Sequence, residues 1–272
     1  MFSEKIKTIG IIGKGTVGTA VGEGLKSFGY EVLYHDKYKE LYPLKTVVER
    51  SDIIFICVPT PCKANGEIDL SIIDEVIENI SKYAENGQKI IIKSTVIPTT
   101  TEHYQEKYPH LVFFMCPEFL DEDTSEYDFL HPFVTIIGYT TKSEKYVEGL
   151  IPVFKNFHAP IHTMPATEAE MVKYMTNSFF VLKVVFANQI YDLCTMLGID
   201  YYRVKDSFVS NPRVGDSHFI VEHKGGRGAG GKCLPKDLSA LIQFARHKNC
   251  PLTLLETAEK INSELLKRTG KC

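Results

Sequence analysis

Clustered positive charge, long apolar runs and paired cysteines are all scarce in this sequence. Its 272 residues carry 31 Lys and Arg against 34 Asp and Glu, for a formal net charge of −3. No cluster of Lys and Arg alternates with aromatic residues, although proteins that bind nucleic acids usually present such clusters to the phosphate backbone. The composition therefore argues against a nucleic-acid partner.

The longest apolar runs, such as residues 53–59 and 89–92, have the length of β-strands. A membrane-spanning helix needs about 20 predominantly apolar residues. The N-terminus runs directly into a strand-like segment and lacks the apolar core and cleavage site of a signal peptide. We therefore expect no membrane partner and a cytoplasmic location.

The seven cysteines are odd in number and show no paired Cys-x-x-Cys spacing. This pattern argues against a disulfide framework and against structural zinc. We expect no metal site, and each cysteine has to be judged by its surroundings. The seven are Cys57, Cys62, Cys116, Cys194, Cys233, Cys250 and Cys272.

The N-terminal region is typical of a dinucleotide site. An apolar strand pattern at 7–12 leads into GKGTVG at 13–18 and then into a helical pattern, and a second strand at 31–34 ends at Asp36. The three glycines would serve the tight turn, the approach of a pyrophosphate and the packing of helix on strand, while the carboxylate would reach the adenosine ribose. A merely structural glycine turn is the alternative.

These features predict bound NAD. A carboxylate at Asp36 would repel a 2′-phosphate and so favours NAD over NADP, although the adjacent Lys37 softens this inference. The predicted cofactor-binding residues of this region are Gly13, Lys14, Gly15, Thr16, Val17, Gly18, Asp36 and Lys37.

Strand and helix patterns then alternate as far as about Pro165, which predicts an α/β fold with a Rossmann-like, doubly wound and mostly parallel sheet. Ligands of such sheets lie beyond the carboxyl ends of the strands. Three distinctive loops fall there: VPTP at 58–61, KSTV at 93–96 and CPEFL at 116–120. Taken singly, each loop is better explained by ordinary loop chemistry, in which proline ends a strand and Ser or Thr bonds a helix start.

A long helix is predicted from Ala166 to about Leu197. Apolar residues recur along it at steps of three and four, which indicates either a core face or a dimer stripe. Lys173 and Asn177 lie on a different face, four residues apart, and could point at the same ligand, although a solvated face is the better explanation of the two residues taken alone. The stripe comprises Met171, Met175, Phe179, Leu182, Phe186, Ile190, Leu193 and Leu197.

Short helical patterns follow at 201–209, 234–247 and 251–267. The second half of the chain is therefore predicted to be all-helical. We expect two domains, an NAD-binding domain at 1–165 and a helical domain at 166–272 that serves dimerisation and carries Cys233.

A glycine-rich stretch, GGRGAGGKCLPKD at 225–237, surrounds one cysteine. If a helix begins at Leu234, Cys233 lies at its N-terminus, where the helix dipole and unpaired amides stabilise a thiolate. Asp237 would then share its helix face. These features suggest a reactive thiol, although a flexible loop that ends in a small buried cysteine is the better explanation of such a stretch taken alone.

Taken together, the stretches closely resemble the UDP-glucose/GDP-mannose dehydrogenase family. Seven motifs follow one another in the family's order: GKGTVG with Asp36, VPTP, KSTV, CPEFLDE, EAEMVKYMTNSF, NPRVG and GAGGKCLPKD. The resemblance implies that NAD takes two hydrides in turn from the primary alcohol of a nucleotide sugar such as UDP-glucose, through a thioester on Cys233. It also implies a homodimer formed through the helix at 171–197.

The resemblance further implies roles for individual residues. Lys173 and Asn177 would stabilise oxyanions, and Asp237 would help to activate water or to stabilise these intermediates. The remaining matches are Glu118 and Glu122 for proton transfer and water activation, Thr95 for holding the catalytic water, and Arg213 for contacting substrate from the partner subunit. Additional expected contacts are Val58, Pro59, Thr60, Thr95 and Lys236 with the cofactor, and Phe119, Leu120, Gly230 and Gly231 with the substrate.

The sequence departs from the family pattern in three places. Family members continue into a further dinucleotide-like domain, the segment between Asp36 and Asp52 is short, and Ala229 replaces a usual aromatic residue, which puts part of the sugar contact in doubt. Two other functions stay open. One is a fold-related β-hydroxyacid dehydrogenase that uses Lys173, and the other is a non-catalytic NAD-binding subunit.

Overall fold

The computed structural model describes residues 6–270. The chain forms two compact units. The first comprises the chain up to Pro61 together with Ile68–Lys173, and the second comprises Cys62–Glu67 together with the chain from Tyr174. The division after Lys173 lies inside a long helix, whereas the predicted boundary between 165 and 166 lies just before that helix.

The first unit contains a seven-stranded sheet with the order β2-β1-β3-β4-β5-β6-β7. All pairs are parallel except β5 with β6. This mixed sheet confirms the predicted α/β class. The strands are β1 (Thr8–Ile12), β2 (Glu31–His35), β3 (Ile53–Ile56), β4 (Lys89–Ile92), β5 (Val112–Met115), β6 (Thr135–Tyr139) and β7 (Ile161–Pro165).

Helices cover both faces of the sheet because successive strand residues point to opposite sides. On β3, Phe55 joins one apolar cluster, together with Val21 and Leu25, while Ile54 joins the other, together with Ile77. Both strand faces are therefore buried, as in doubly wound folds. The helices of this unit are α1 (Thr16–Ser27), α2 (Leu44–Arg50), α3 (Ser71–Ser81), α4 (Thr100–Lys107), α5 (Ser125–Leu130) and α6 (Val147–Phe154), with 3₁₀ turns at Glu144–Tyr146 and Lys155–Phe157.

The strand order explains where the ligand end of the sheet lies. β1 pairs with β2 on one side and with β3 on the other. The chain therefore changes direction across the sheet at β1, and such a switch point is the usual ligand crevice of an open α/β sheet. The short segment after Asp36 holds only the helix α2, so that β2 forms the edge of the sheet.

The second unit is built around α7 (Ala166–Leu197), whose first turns belong to the first unit. Its other helices are α8 (Tyr201–Val209), α9 (Leu234–His247) and α10 (Thr253–Thr269). Val181 and Val185 pack with Leu238 and Ile242 in its apolar core. A two-stranded hairpin, β8 (Glu222–His223) with β9 (Gly226–Arg227), corrects the prediction that this part is entirely helical.

α7 is also long and apolar enough, by length and composition, to cross a membrane. Length and composition alone are weak evidence of a membrane span, because a core helix of a water-soluble protein can share them. Its polar residues bind protein groups: Lys173 donates to Glu118, and Lys183 to Ser217, while Asn188 accepts from Arg227. Helix α7 therefore makes its polar contacts with protein, and the sequence had shown no uninterrupted apolar run there.

Candidate active site

The glycine turn after β1 has the geometry that a dinucleotide needs. Gly13 adopts a φ of +92°, and a Cβ there would lie 2.7 Å from the Cys57 carbonyl oxygen. A Cβ on Gly18 would lie 1.9 Å from the Gly13 oxygen. Only glycine, which has no Cβ, avoids this clash. At Gly15, by contrast, no atom of the described residues other than Gly15 and its two chain neighbours lies within 4 Å of the Cβ position. The start of α1 is therefore open to a phosphate, whereas its flanks are closely packed.

Asp36 closes this turn from the end of β2. One carboxylate oxygen accepts from the Lys14 amide at 2.8 Å, and the other accepts from the Tyr38 amide at 2.9 Å. Burial raises the pKa of Asp36, but these amides and the Lys39 charge hold it below the ordinary value. The group therefore stays ionised at neutral pH. An ionised carboxylate here fits adenosine ribose hydroxyls better than a 2′-phosphate.

The positive charge of Lys37, which would favour the 2′-phosphate of NADP, is paired with a carboxylate. Its ammonium contacts both carboxylate oxygens of Glu75 on α3, at 3.2 and 3.3 Å. Both side chains are more than half exposed, so the pair is weak in free energy. Glu75 nevertheless offsets the Lys37 charge beside the predicted ribose site.

The three predicted loops meet at the carboxyl ends of β3, β4 and β5. The Thr60 hydroxyl donates to the Thr95 carbonyl at 2.8 Å, and the Ser94 hydroxyl donates to the Val58 carbonyl at 2.7 Å. The Cys116 amide donates to the Ile92 carbonyl. The structure therefore brings VPTP, KSTV and CPEFL to one end of the sheet.

Glu118 and Lys173 form a buried ion pair in the first unit. The Lys173 ammonium lies 2.7 Å from the Glu118 carbonyl oxygen and 2.9 Å from its Oε1, while Oε2 accepts from the Leu120 amide at 2.8 Å. Burial raises the pKa of Glu118, but Lys173, the Leu120 amide and Lys93 outweigh burial and hold the pKa below its ordinary value. The carboxylate is therefore ionised, and Lys173 is oriented by two acceptors.

A second buried lysine adjoins this pair. The Lys93 ammonium donates to the Pro117 carbonyl at 3.2 Å, and burial lowers its pKa. The neighbouring thiols of Cys57 and Cys116 have pKa values raised by burial to about 12 and remain neutral. Lys93 thus anchors the peptide next to Glu118, a role that its position in the KSTV loop does not indicate from the sequence.

Glu122, Phe119 and Leu120 have different surroundings from Glu118. The segment between β5 and Glu122 is not helical, and Glu122 is exposed in a turn before α5. Its spacing of four from Glu118 therefore does not put the two carboxylates on one helix face. The Phe119 ring lies 5.5 Å from the Lys173 ammonium and 5.4 Å from the Phe133 ring, and Leu120 packs against the apolar core.

In the second unit, Asp237 is fully buried in the first turn of α9. The Asn177 amide donates to Asp237 Oδ2 at 2.6 Å, and the Lys236 ammonium binds Oδ1. The structure therefore brings together the predicted catalytic residues Asn177 and Asp237. Lys236, which was expected to contact the cofactor, has its ammonium on Asp237.

Cys233 lies where the sequence predicted, at the N-cap of α9. It is exposed, and its carbonyl accepts from the Asp237 amide at 2.9 Å. The unpaired amides and dipole of a helix start stabilise a thiolate. An exposed position is the opposite of the quiet, buried cysteine that the loop alone left open. The cysteines among residues 6–270 form no disulfide.

The loop before Cys233 is anchored at Ala229. The Asn262 side chain on α10 donates to the Ala229 carbonyl at 2.9 Å and accepts from its amide at 2.7 Å. The Ala229 methyl group is buried in the apolar core of this unit. Beyond this anchor, Gly231 has a φ of +78° and an exposed backbone, and Gly230 connects the two.

Arg213 is exposed in the turn that follows α8, and its amide bonds Asn211 Oδ1. Lys183 on α7 holds the next part of this segment through the Gly215 carbonyl and the Ser217 hydroxyl. The predicted stripe of α7 is largely exposed: Met175 is 71% accessible, Phe179 55% and Leu197 64%. These residues therefore do not form a core face of this chain.

No group of three or more His, Cys, Asp or Glu among residues 6–270 could hold a metal ion. Besides Lys93, sequence reasoning missed Asn262 and Glu170. Both are buried polar residues whose partners are distant in the chain. A polar residue at an apolar position of a helical pattern was the only available signal.

Comparison with protein families gives three matches. Residues 42–158 match the NAD binding domain of the UDP-glucose/GDP-mannose dehydrogenase family, and residues 167–264 match its central domain. Residues 3–79 match the NAD binding domain of the D-isomer specific 2-hydroxyacid dehydrogenases. Together with the open glycine turn and Asp36, these matches identify NAD as the cofactor.

UDP-glucose 6-dehydrogenase YwqF of Bacillus subtilis is 31% identical over 94% of this chain and 66% of its own length. YtcA of the same organism is 30% identical over 94% of this chain and 67% of its own length. The structure of a UDP-glucose dehydrogenase from Pyrobaculum islandicum superimposes with a TM-score of 0.87 at 26% identity, covering 98% of this chain and 72% of that one. The chain thus spans about two thirds of these relatives, and it belongs to the UDP-glucose/GDP-mannose dehydrogenase family.

Proposed function

We propose that this chain oxidises the primary alcohol of a nucleotide sugar, with UDP-glucose as the first substrate to test, to the carboxylate through a thioester on Cys233. The observation that carries the proposal is the exposed thiol at the start of α9, one helical turn from the buried Asp237. A quiet structural cysteine needs neither exposure nor a buried carboxylate nearby. The names of the relatives support the substrate class.

The chemistry assigned to Cys233 balances in two oxidations. The thiolate adds to the aldehyde carbon left by the first oxidation, and the resulting thiohemiacetal loses a hydride to become a thioester. Water then attacks the carbonyl carbon, and the carbon–sulfur bond breaks to release the carboxylate and the thiol. When bound, NAD accepts the hydride in each oxidation, so that one alcohol and one water become one carboxylate with two NADH.

The other residues hold charge and protons in this proposal. Lys173 and the Asn177 amide stabilise the oxyanions, because both are oriented by buried carboxylates, Glu118 and Asp237. Thr95 and Glu118 orient and deprotonate water, and Asp237 assists. Glu122 is retained as a second base on the basis of the family motif.

The remaining proposed contacts divide between the cofactor and the sugar of the substrate. NAD is held by residues 13–18, Asp36, Val58–Thr60 and Thr95, and the sugar lies against Phe119, Leu120, Gly230 and Gly231. Lys37 and Lys236 are retained as proposed cofactor contacts, with their ammonium groups paired to Glu75 and Asp237. The protein is proposed to act in the cytoplasm.

We infer that the exposed apolar stripe of α7 is covered by a second copy of this chain, with Arg213 reaching the partner's substrate. A single chain would otherwise expose Met175, Phe179, Phe186, Leu193 and Met196 on one helix, and patches of this kind mark interfaces. Light scattering of wild type and Phe179→Glu tests this inference, since the substitution should give monomers. A monomeric wild type would refute it.

NADH production on a panel of UDP- and GDP-sugars tests the activity. We expect two NADH for each sugar acid formed, and Cys233→Ser should abolish acid formation while NAD binding is unchanged. Cys250→Ser, at another exposed cysteine, is the matched control and should behave as wild type. Turnover that survives Cys233→Ser would favour the hydroxyacid dehydrogenase instead, and NAD binding without any turnover would favour the non-catalytic subunit.

A further inference from the structure

Glu170 is a buried carboxylate to which neither the family motif nor the proposed reaction gives a role. It lies on α7, one turn before Lys173, and is 0% exposed. Its Oε2 accepts from the Thr99 amide at 2.7 Å, and its Oε1 accepts from the Thr101 amide at 2.7 Å and the Thr101 hydroxyl at 2.6 Å. A buried charge with three short hydrogen bonds is costly to desolvate and holds its partners firmly.

The partners of Glu170 form the start of α4. Thr99 occupies the N-cap position of this helix with a φ of +83°, and its own side chain makes no capping bond. A non-glycine residue in the left-handed region is strained by roughly 1–3 kcal/mol and persists only where its surroundings hold it. The Glu170 carboxylate supplies both the missing cap and the constraint on Thr99.

The segment that ends at Thr99 begins at the carboxyl end of β4 and carries Thr95. Its first part is tied to the β3 loop by the Ser94 and Thr60 hydroxyls. Its last part is tied to α7 by Glu170. Lys173, three residues further along α7, holds Glu118. One helix face therefore fixes both the loop that carries Thr95 and the loop that carries Glu118.

We propose that Glu170 is a positioning residue for the oxidation: its carboxylate holds the loop of Thr95 in register with the Lys173–Glu118 pair. This inference rests on the proposed function, because it takes Thr95 and Glu118 as groups that handle the reacting water. Misplacement of such groups by about 1 Å can reduce turnover about 100-fold without changing substrate contacts.

The hydrogen bonds from Thr99 and Thr101 to Glu170, here called the clamp, should depend on pH because Glu170 can be protonated. Burial raises its pKa from 4.5 to about 7, against the hydrogen bonds from Thr101 and Thr99. The titratable groups that interact with it from α4 are Glu102 and Tyr104, and Lys173 follows it on its own helix. The protonated form loses acceptor capacity for the two amides, so the clamp should weaken as the pH falls through about 7.

The stability of the fold should depend on pH in the opposite direction to the strength of the clamp. Because the folded pKa is raised, the folded state binds more protons than the unfolded state between about 4.5 and 7. The contribution of Glu170 to stability is therefore greatest below that window and falls as the pH rises through it. Turnover that rises with pH while stability falls is a signature that a purely structural cap would not give.

Glu170→Gln tests the proposal, with Glu168→Gln, an exposed residue of the same helix, as the matched control. The single amide oxygen of glutamine cannot satisfy both backbone amides and the hydroxyl. We expect kcat to fall by roughly 10–100-fold with KM changed less than about threefold, and the rise of kcat through pH 7 to disappear. An equal loss of kcat in Glu170→Gln and Glu168→Gln, or an unchanged kcat for Glu170→Gln, would overturn the proposal.

Two further measurements keep the test decisive. If Glu170→Gln does not fold, Thr101→Val removes only the hydroxyl bond and should lower kcat by roughly three- to tenfold, whereas an unchanged kcat would count against Glu170. If wild type shows no turnover, the proposed function fails, and amide exchange then decides the clamp separately. Faster exchange across 95–101 in Glu170→Gln supports the clamp, and unchanged exchange refutes it.

Discussion

Two glycine-rich segments of this chain each lead into a helix, but they present different groups there. In the first, 13–18, the tight glycines press backbone against backbone, and the space beside Gly15 at the helix start is open. In the second, 225–233, the glycines lead to an exposed thiol, with a buried carboxylate one turn later. The same helix-terminus electrostatics therefore suit a phosphate in one place and a thiolate in the other.

The constraints on the two segments also differ. Gly18 is required by a contact within the turn itself, with the Gly13 carbonyl, whereas Gly13 is required by its positive φ and by the Cys57 carbonyl just after β3. The second segment is held from outside, because Asn262 bonds both backbone groups of Ala229. The first segment is thus shaped by its own backbone and by the backbone of the adjacent strand end, and the second by a side chain on a later helix.

Gly18→Ala should have the largest effect. The added Cβ would lie 1.9 Å from the Gly13 oxygen, so that turn and helix must separate, at a cost of about 2–4 kcal/mol in the free energy of unfolding. We expect a large fall in Tm and loss of NAD binding by calorimetry. A variant as stable as wild type would show that the packing of this turn is not the constraint.

Asn262→Ala should weaken the second segment while leaving the first intact. Removing the side-chain amide leaves two buried backbone groups of Ala229 unpaired, which costs about 1–3 kcal/mol. Urea unfolding should show this loss, and NAD affinity should be unchanged. Turnover should fall because the backbone before Cys233 is released, and wild-type turnover would show that the anchor does not position the thiol.

Gly15→Ala should change binding more than stability. Apart from the residue itself and its two chain neighbours, no described atom lies within 4 Å of the added Cβ, so we expect a change in unfolding free energy below about 0.5 kcal/mol. The methyl group would stand where a phosphate approaches, and the Kd for NAD should rise. Unchanged NAD affinity would place the pyrophosphate away from Gly15.

Glu75→Gln should have the smallest effect. The pair with Lys37 is exposed, so stability should change by less than about 0.5 kcal/mol. The uncompensated Lys37 charge should narrow the preference for NAD over NADP by a few-fold, measured as the ratio of the two Kd values. An unchanged ratio would mean that Asp36 alone sets the preference.

Much of the fold could be predicted from the sequence because its signals are local. The helix of 166–197 and the helix at Leu234–His247 begin and end as predicted. α5 is too short to show a period, and β7 carries Pro165 and is partly exposed, so neither gave an apolar signal. The hairpin of the second unit has strands of two residues each, below the length at which alternation is visible.

The sequence by itself determined the glycine turn, the carboxylate at its end and a cysteine at a helix start, since each depends on residues close together in the chain. Only the tertiary structure showed that Glu118 is paired with Lys173, that Asn262 anchors Ala229, and that Glu170 binds Thr99 across 71 residues. The reason is physical: a buried polar or charged group is tolerable only beside a hydrogen-bond or charge partner, and tertiary packing decides which distant residue becomes that partner.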